Sequence, residues 1–264
     1  MSNELETLIV ERDAGVVTVT MNRPARKNAA NGAMWRELLA TFDDVAADRE
    51  VRVMVLTGAG DAFCSGADLG DAADVAGRPG DPYLVQMRAL GHVALRLHQL
   101  PKPTIAKVGG VAAGAGMSMA LGCDLVVASD AARFSQIFSK RGLSVDFGAS
   151  WLLPRLIGLH RAKELAYFAD IIDAQQALEF GLVNRIVPAG QLDQFVSDWA
   201  TRLAAGPPLA LSMTKTMLNN SLGLSMDQAL EEESRSQAVN FATADTMEAL
   251  RAFKQKRQPR FEGR

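Results

Sequence analysis

The chain of 264 residues has only two cysteines, Cys64 and Cys123. Neither a disulfide framework nor a cysteine-rich zinc site can be built from them. Histidine is equally scarce, and His92, His98 and His160 are scattered. Without an H-E-x-x-H pattern each reads as a surface or helix-face side chain, and no metal is expected. Excess charge of one sign is missing too. The net charge of −2 argues against a nucleic-acid partner or an anionic membrane. Long apolar runs are absent: the longest uncharged stretch, between Lys107 and Asp124, holds 16 residues and is rich in glycine. A bilayer span needs ~20. Met1-Ser2-Asn3-Glu4 is polar and acidic, unlike a signal peptide, so a cytoplasmic protein is expected. There is no Walker sequence and no G-x-S-x-G elbow. Phe63 stands where Gly58-Ala59-Gly60 would need its third glycine to read as a dinucleotide fingerprint.

What the chain does contain is the composition of a folded protein with a substantial core: 48% hydrophobic and 22% charged residues. Leu8 and Val10, then Val17, Val19 and Met21, alternate around Asp13-Ala14-Gly15, a hairpin pattern. Residues 31–48 read as an amphipathic helix with Met34, Leu38, Phe42 and Val45 on one face. Val53–Thr57, Thr104–Val108 and Leu125–Ala128 are short continuous apolar runs, the pattern of buried parallel strands. Helical patterns over Tyr83–Leu100 and Ala113–Leu121 fall between them, which predicts an α/β layered core. Beyond Leu152 the pattern is mostly helical, with candidates at Arg161–Phe168, Ala174–Phe180, Gln191–Leu203, Pro208–Asn219, Ser225–Asn240 and Thr243–Lys256. Gly206-Pro207-Pro208 marks a break. It divides a core, residues 1–205, from a C-terminal helical region, residues 206–264. No internal repeat is visible. The one stretch of low complexity is the loop Gly77–Pro82.

Two glycine-rich turns stand out. Gly58–Leu69 follows a buried strand, and Gly109–Met117 leads from a strand into an apolar helix. Glycine lets backbone approach a ligand and adopt dihedrals closed to other residues. A helix start offers free N–H groups. The turns either pack small residues tightly or converge as two backbone donors on one oxygen, an oxyanion hole.

With Asn22-Arg23-Pro24 and Asn28, the block Ala62–Leu69, Gly110–Gly116, Cys123-Asp124, Ala128–Phe134, Gly181-Leu182-Val183 and the ending from Phe253 to Phe261, the chain resembles the crotonase superfamily, the enoyl-CoA hydratase/isomerase group. The resemblance implies a crotonase-like spiral of ββα turns, a C-terminal helical region used for trimerisation, and an acyl-CoA thioester as ligand. A homotrimer or a dimer of trimers is then expected. No cofactor is expected beyond the coenzyme A of the substrate. By position, the N–H groups of Ala67 and Ala115 would hold the thioester carbonyl, with Asp68 and Leu69 alongside. Arg26 and Lys27 fall where the family wraps the nucleotide. Phe253 and Lys256 fall where a neighbouring subunit's tail reaches it. For these last four, solvated surface is the alternative.

The chain departs from the hydratase pattern at both glutamates: Ser118 and Phe138 occupy those positions. Hydration needs one group to activate water and another to move a proton, work that serine and phenylalanine cannot do at neutral pH. One carboxylate remains. Asp146 lies between Val145 and Phe147 ahead of a helix, where it is either an N-cap or a base in a dry pocket. Leu143–Arg155 is similar to the matching segment of ring-epoxide isomerases, and dienoyl-CoA isomerases also carry an aspartate there. The expected function is double-bond shifting through an oxyanion-stabilised enolate, with Asp146 as the one acid/base. The alternatives are an atypical hydratase, an aryl-CoA dehalogenase assisted by His92, or a non-catalytic acyl-CoA-binding trimer. Acyl specificity is expected to depend on the segment Asp71–Met87. The three tryptophans read as packing residues, Met117 and Met119 either line the acyl pocket or pack in the core, and Cys64 lies beside the oxyanion turn with no base placed to activate it.

Overall fold

The computed structural model describes residues 5–68, 70 and 82–264. Leu69, residues 71–81 of the expected specificity segment, and most of the loop Gly77–Pro82 lie outside the described residues.

Strands β1 (Leu8–Asp13) and β2 (Val16–Met21) form the expected hairpin. Ala14 and Gly15 have φ of 46° and 82°, the left-handed pair of a two-residue turn that matches strand twist. Helix α1 (Gly32–Ala47) follows. Asn31 caps it by accepting the N–H of Met34 at 3.0 Å, and Met34, Leu38, Phe42 and Val45 are buried as expected.

Strands β3 (Val53–Gly58), β5 (Thr104–Val108) and β7 (Leu125–Ser129) run parallel in a six-stranded sheet of order β1-β2-β3-β5-β7-β10, with β10 at Arg185–Val187. Their unbroken apolar character has a direct cause: both faces of the sheet are covered. Met54, Leu56, Ala106 and Val108 enter the main core with Trp35 and Phe42. Val53, Val55, Ile105 and Val127 face the other way, onto Leu192, Val196 and Ala200 of helix α6 (Leu192–Ala204).

A second sheet, implied by the ββα spiral of the resemblance but not visible in the residue pattern, is present. It is built of β4 (Ala62–Cys64), β6 (Val111–Ala113), β8 (Arg133–Ser135) and β9 (Ile172–Asp173). Each of the first three follows a strand of the first sheet and precedes a helix: α2 (Tyr83–His98), α3 (Ala115–Gly122) or α4 (Ala149–Phe168). The ββα unit is thus repeated three times, as β3-β4-α2, β5-β6-α3 and β7-β8-α4, and each turn of the spiral adds one strand to each sheet. A three-residue strand inside a glycine-rich turn is too short to display alternation, so these strands were read as loop. The repeat is geometric and leaves no periodicity in the residues.

Helix α4 also begins earlier than the periodicity predicts, at Ala149 rather than Arg161. Gly158, at φ 76° and ψ 162°, interrupts it and joins two shorter helices end to end. Helix α5 (Ala174–Phe180) is closed by a capping box between Asp173 and Gln176.

After Gly206-Pro207 come α7 (Pro208–Asn220), α8 (Met226–Phe241) and α9 (Ala244–Gln255), which pack on one another. Lys215 on α7 reaches back to Asp124 at 2.8 Å, and the Asn219 amide donates to the His98 carbonyl at 3.3 Å. Neither α7 nor α8 buries a residue, and Leu218, Met226, Phe241 and Phe253 stand exposed. Among the described residues no helix is long and apolar enough to cross a membrane.

Candidate active site

The two glycine-rich turns meet. Gly66 has φ 102°, open only to glycine, and a Cβ there would stand 3.0 Å from the Ala113 carbonyl oxygen and 3.6 Å from the Ala115 nitrogen. On the other turn a Cβ on Gly116 would come within 2.1 Å of the Cys64 carbonyl oxygen. Backbone therefore packs directly on backbone, and the peptides leading into Ala67 and Ala115 are neighbours.

The hydrogen-bond pattern frees both N–H groups. Ala30 and Ala67 form an isolated parallel bridge in which Ala30 N–H donates to Gly66 O at 2.8 Å and Asp68 N–H donates to Ala30 O at 2.9 Å. That pairing uses the residues on either side of Ala67 and leaves its own N–H unengaged. Ala115 is the first residue of α3, where no intrahelical acceptor exists; the ladder starts with Ser118 N–H donating to Gly114 O at 3.0 Å. Among the described residues neither N–H has an acceptor. Two adjacent unpaired donors, one at a helix start, make a fixed electropositive site for an oxygen.

The first turn is held from outside by residues to which the sequence reading gave no site role. Asn28 is fully buried at φ 55°. Its Oδ1 accepts the Arg23 N–H at 2.9 Å, and its Nδ2 donates to Ala59 O and Ala62 O, both at 2.8 Å. Arg23 pairs with Asp68 at 2.9 Å. The Asp68 carboxylate also accepts the Gly70 N–H at 3.2 Å, so this side chain holds the turn. The signal for Asn28 and Arg23 was present in the motif but carried no chemistry of its own.

Arg26 and Lys27 sit at the mouth of the same turn. Ser65 N–H donates to Lys27 O at 3.0 Å, and Ser65 Oγ donates to Arg26 O at 3.3 Å. Both cationic side chains are exposed, with no ion-pair partner among the described residues. Phe253 and Lys256 lie elsewhere. Phe253 is 85% exposed on α9, and Lys256 ends that helix at φ 53°. Among the described residues no hydrogen bond or ion pair links either to the turns. Leu69 lies outside the described residues.

The second turn is wrapped by the segment after β8. Gly114 N–H donates to Ser135 O at 2.8 Å. The Phe138 ring lies 3.7 Å from where a Gly114 Cβ would stand, which places this buried phenylalanine against the start of α3. Ser118 is fully buried, and its hydroxyl donates to Gly114 O at 3.1 Å. Both positions where the resemblance puts a hydratase glutamate are thus filled by groups without a carboxylate, a serine hydroxyl tied to backbone and a phenyl ring.

Asp146 is not an N-cap. Gly148 occupies that position, at φ 81°, and only the backbone carbonyl of Asp146 receives a bond, from Ala149 N–H at 3.0 Å. Its loop is fastened on two sides. Leu143 N–H donates to Phe138 O at 3.1 Å, and the Phe147 ring lies 5.4 Å from that of Trp35, on the helix that starts beside the Ala30–Ala67 bridge. Oδ1 of Asp146 is buried without a hydrogen-bond partner. Burial alone pushes its carboxyl up to about 6. Trp35 Nε1 and both side-chain polar atoms of Gln136 are likewise buried and unpartnered. An unpaired buried polar group costs about 1–3 kcal/mol, so such atoms concentrate where a ligand or function compensates. Gln136 was missed because a lone amide inside Phe134–Phe138 has no motif value.

Other candidates are inert. Cys64 is buried, with its thiol pushed up to about 12 by desolvation. His92 is exposed. His98 packs edge-on against Trp151 at 5.1 Å, and its imidazole is lowered by burial and by Lys215. Both residues line an apolar cavity of about 650 Å³ with Phe147 and Gly148, but neither Ala67 nor Ala115 borders it. Unpaired donors rather than cavity size identify the site. Among the described residues no group of three His, Cys, Asp or Glu side chains is placed to hold a metal ion.

A family model described as enoyl-CoA hydratase/isomerase matches residues 11–264. The chain is 38% identical to the 1,2-epoxyphenylacetyl-CoA isomerase of Escherichia coli K12, over 98% of this chain and 100% of that one. It is 35% identical to the short-chain-enoyl-CoA hydratase of Clostridium acetobutylicum, over 97% of each. The crystal structure of an enoyl-CoA hydratase from Bacillus anthracis superimposes with a TM-score of 0.92 at 31% identity, covering 98% of this chain and 100% of that one.

Proposed function

The chain belongs to the enoyl-CoA hydratase/isomerase family, and from that premise we propose that it shifts a double bond in an acyl-CoA thioester, with Asp146 as the one acid/base. The observation that carries this reading is the buried, unpartnered carboxylate oxygen of Asp146 in a chain that also leaves the Ala67 and Ala115 N–H groups unpaired, while Ser118 and Phe138 stand where the resemblance puts the other acid/base groups.

The chemistry is economical. The N–H groups of Ala67 and Ala115 bind the thioester oxygen and stabilise the negative charge that develops on it. One such donor is worth about 3–4 kcal/mol in other enzymes. Asp146, ionised above its raised pKa of about 6, removes a proton from the carbon next to the carbonyl or from a vinylogous position. The electron pair moves into a dienolate. The same carboxylic acid returns the proton further along, and the double bond has moved with no net gain or loss of atoms. A ring-epoxide substrate, the kind named for the Escherichia coli relative, fits the same scheme through its acidic α-carbon. No cofactor beyond the coenzyme A of the substrate is required.

Arg26 and Lys27 are the proposed contacts for the phosphates of coenzyme A. Phe253 and Lys256 would join the site from a neighbouring copy. A trimer or a dimer of trimers, built through α7–α9, is supported by the exposed Leu218, Met226, Phe241 and Phe253.

A panel of 3-enoyl-, 2-enoyl-, dienoyl- and epoxyphenylacetyl-CoA tests the reading. The wild type should isomerise at least one member, with turnover rising with pH through about 6 as Asp146 ionises. Asp146→Asn should lose about 10²–10⁴-fold in kcat. Rapid hydration of crotonyl-CoA by the wild type would instead favour the hydratase reading. Isomerisation that survives in a folded Asp146→Asn would remove the role given to this residue.

A further inference from the structure

Gln136 is fully buried, and neither Nε2 nor Oε1 of its amide has a hydrogen-bond partner. An amide offers two donors and an acceptor with two lone pairs, so a whole hydrogen-bonding group is left unused. Three other polar side chains around the turns and on β8 are engaged. Ser118 bonds Gly114 O, Ser135 Oγ bonds Ala169 O at 3.1 Å, and all of Asn28 is engaged. The surroundings of Gln136 belong to the oxyanion turn. The carbonyl of Ser135, just before it, accepts from Gly114. Ile137 and Phe138, just after it, lie 3.4 and 3.7 Å from the position of a Gly114 Cβ. Gly114 itself precedes the donor residue Ala115.

An amide in this place cannot shuttle protons at any working pH; it can only bond to an oxygen or an N–H. Its chain neighbours Ile137 and Phe138 are apolar, and Phe138 is buried. A purely hydrocarbon acyl chain would leave the amide unpaired in the bound complex. A hydroxyl, ketone or epoxide oxygen would satisfy it.

We infer that Gln136 determines specificity by receiving an oxygen carried on the acyl group itself, so that the site prefers oxygen-bearing acyl-CoA thioesters to plain hydrocarbon ones. The inference rests on the reading of Ala67 and Ala115 as the thioester site but not on which group moves the proton. Nε2–H donates to an epoxide or ketone oxygen, and Oε1 accepts from a hydroxyl. Sites built to hydrogen-bond a substrate group discriminate strongly against analogues that lack it.

Equilibrium binding tests this apart from turnover. Phenylacetyl-CoA and 2-hydroxyphenylacetyl-CoA are titrated into wild type and into Gln136→Met, which keeps the bulk and removes the hydrogen bonds. The wild type should bind the hydroxylated ligand about tenfold or more tightly, a difference of about 1.4 kcal/mol. In Gln136→Met that ratio should fall below about twofold, chiefly through weaker binding of the hydroxylated ligand. Equal affinities in the wild type, or an unchanged ratio in the variant, would overturn the inference. If the variant does not fold, the wild-type ratio alone decides. Loss of isomerisation in every substrate with the binding ratio intact would count against the proposed reaction and leave the role of Gln136 standing.

Discussion

The backbone cradle around Ala67 and Ala115 and the segment from Gln136 to Asp146, whose start packs on Gly114, are in opposite conditions. In the cradle nearly every polar group except the two donors is paired, and backbone packs on backbone at Gly66 and Gly116. In that segment two side chains are left short of partners: the buried amide of Gln136 and the buried Oδ1 of the half-buried Asp146. The cradle's working parts are main-chain N–H groups, which do not depend on side-chain identity, so its sequence is constrained by shape alone. In the proposed reaction the segment contributes side chains, so exchanging them is expected to change the chemistry while the cradle stays the same. Relatives named as an isomerase and as a hydratase, both more than a third identical to this chain, are what such a division of labour produces.

The strongest way to break the contrast is to deform the cradle. Gly116→Ala drives a methyl group into the Cys64 carbonyl, and the backbone shift that relieves it moves the Ala115 N–H. Turnover should fall about 10²–10³-fold, the usual loss for one oxyanion donor. The melting temperature should fall as well; unchanged kinetics in circular-dichroism-verified folded protein would mean the donors sit elsewhere. Asn28→Ala attacks the same region through its support. It leaves Arg23 N–H, Ala59 O and Ala62 O without their partner, at about 1–3 kcal/mol for each buried group. Urea denaturation should register most of that as lost stability.

On the segment from Gln136 to Asp146 the sign reverses. Burial raises the Asp146 carboxyl to about 6 in the folded state, above its unfolded value. The folded form therefore holds its proton more tightly. That contribution is complete below the unfolded pKa and is lost as pH rises through about 6, leaving Asp146 a net cost at pH 7–8 on the order of 3 kcal/mol. Asp146→Asn should accordingly melt higher than wild type at pH 8, with the gap closing below about pH 4. A variant less stable than wild type at pH 8 would show the carboxylate to be structurally paired. The smallest effect is expected at Ser118. Its hydroxyl only bonds back to Gly114 O, so Ser118→Ala should stay within about threefold of wild type in kcat; a large loss would give Ser118 a chemical role.

Much of the frame was legible from residue order. The hairpin at Ala14-Gly15, the Asn31 cap and the three parallel strands follow from turn chemistry and from apolar runs buried on both faces. The limits of α5, α7, α8 and α9 came within a residue or two of the observed helices. The second sheet was hidden, because strands such as Ala62–Cys64 and Val111–Ala113 show no alternation over three residues. The start of α4 shows no apolar periodicity, because Pro154 lies within its first helical stretch and Gly158 breaks the run into two shorter helices. Within the site, Asp146 was singled out because the two usual acids were absent. Gln136 and Asn28 were given no role, since an uncharged amide has no signature until its surroundings are known.

Residue order alone determined which groups are available: one carboxylate, no second acid, glycines at the two turns, and no cysteine or histidine cluster. Those are matters of inventory and local spacing. Tertiary structure decided which of these groups are exposed to one another and which are left unpaired. The freedom of the Ala67 N–H depends on Ala30, 37 residues away, bonding its neighbours. The raised pKa of Asp146 depends on burial in the folded chain, where its neighbour Phe147 packs against Trp35, more than a hundred residues away in sequence. Hydrogen-bond satisfaction and desolvation are properties of the packed surroundings, and only the folded chain supplies them.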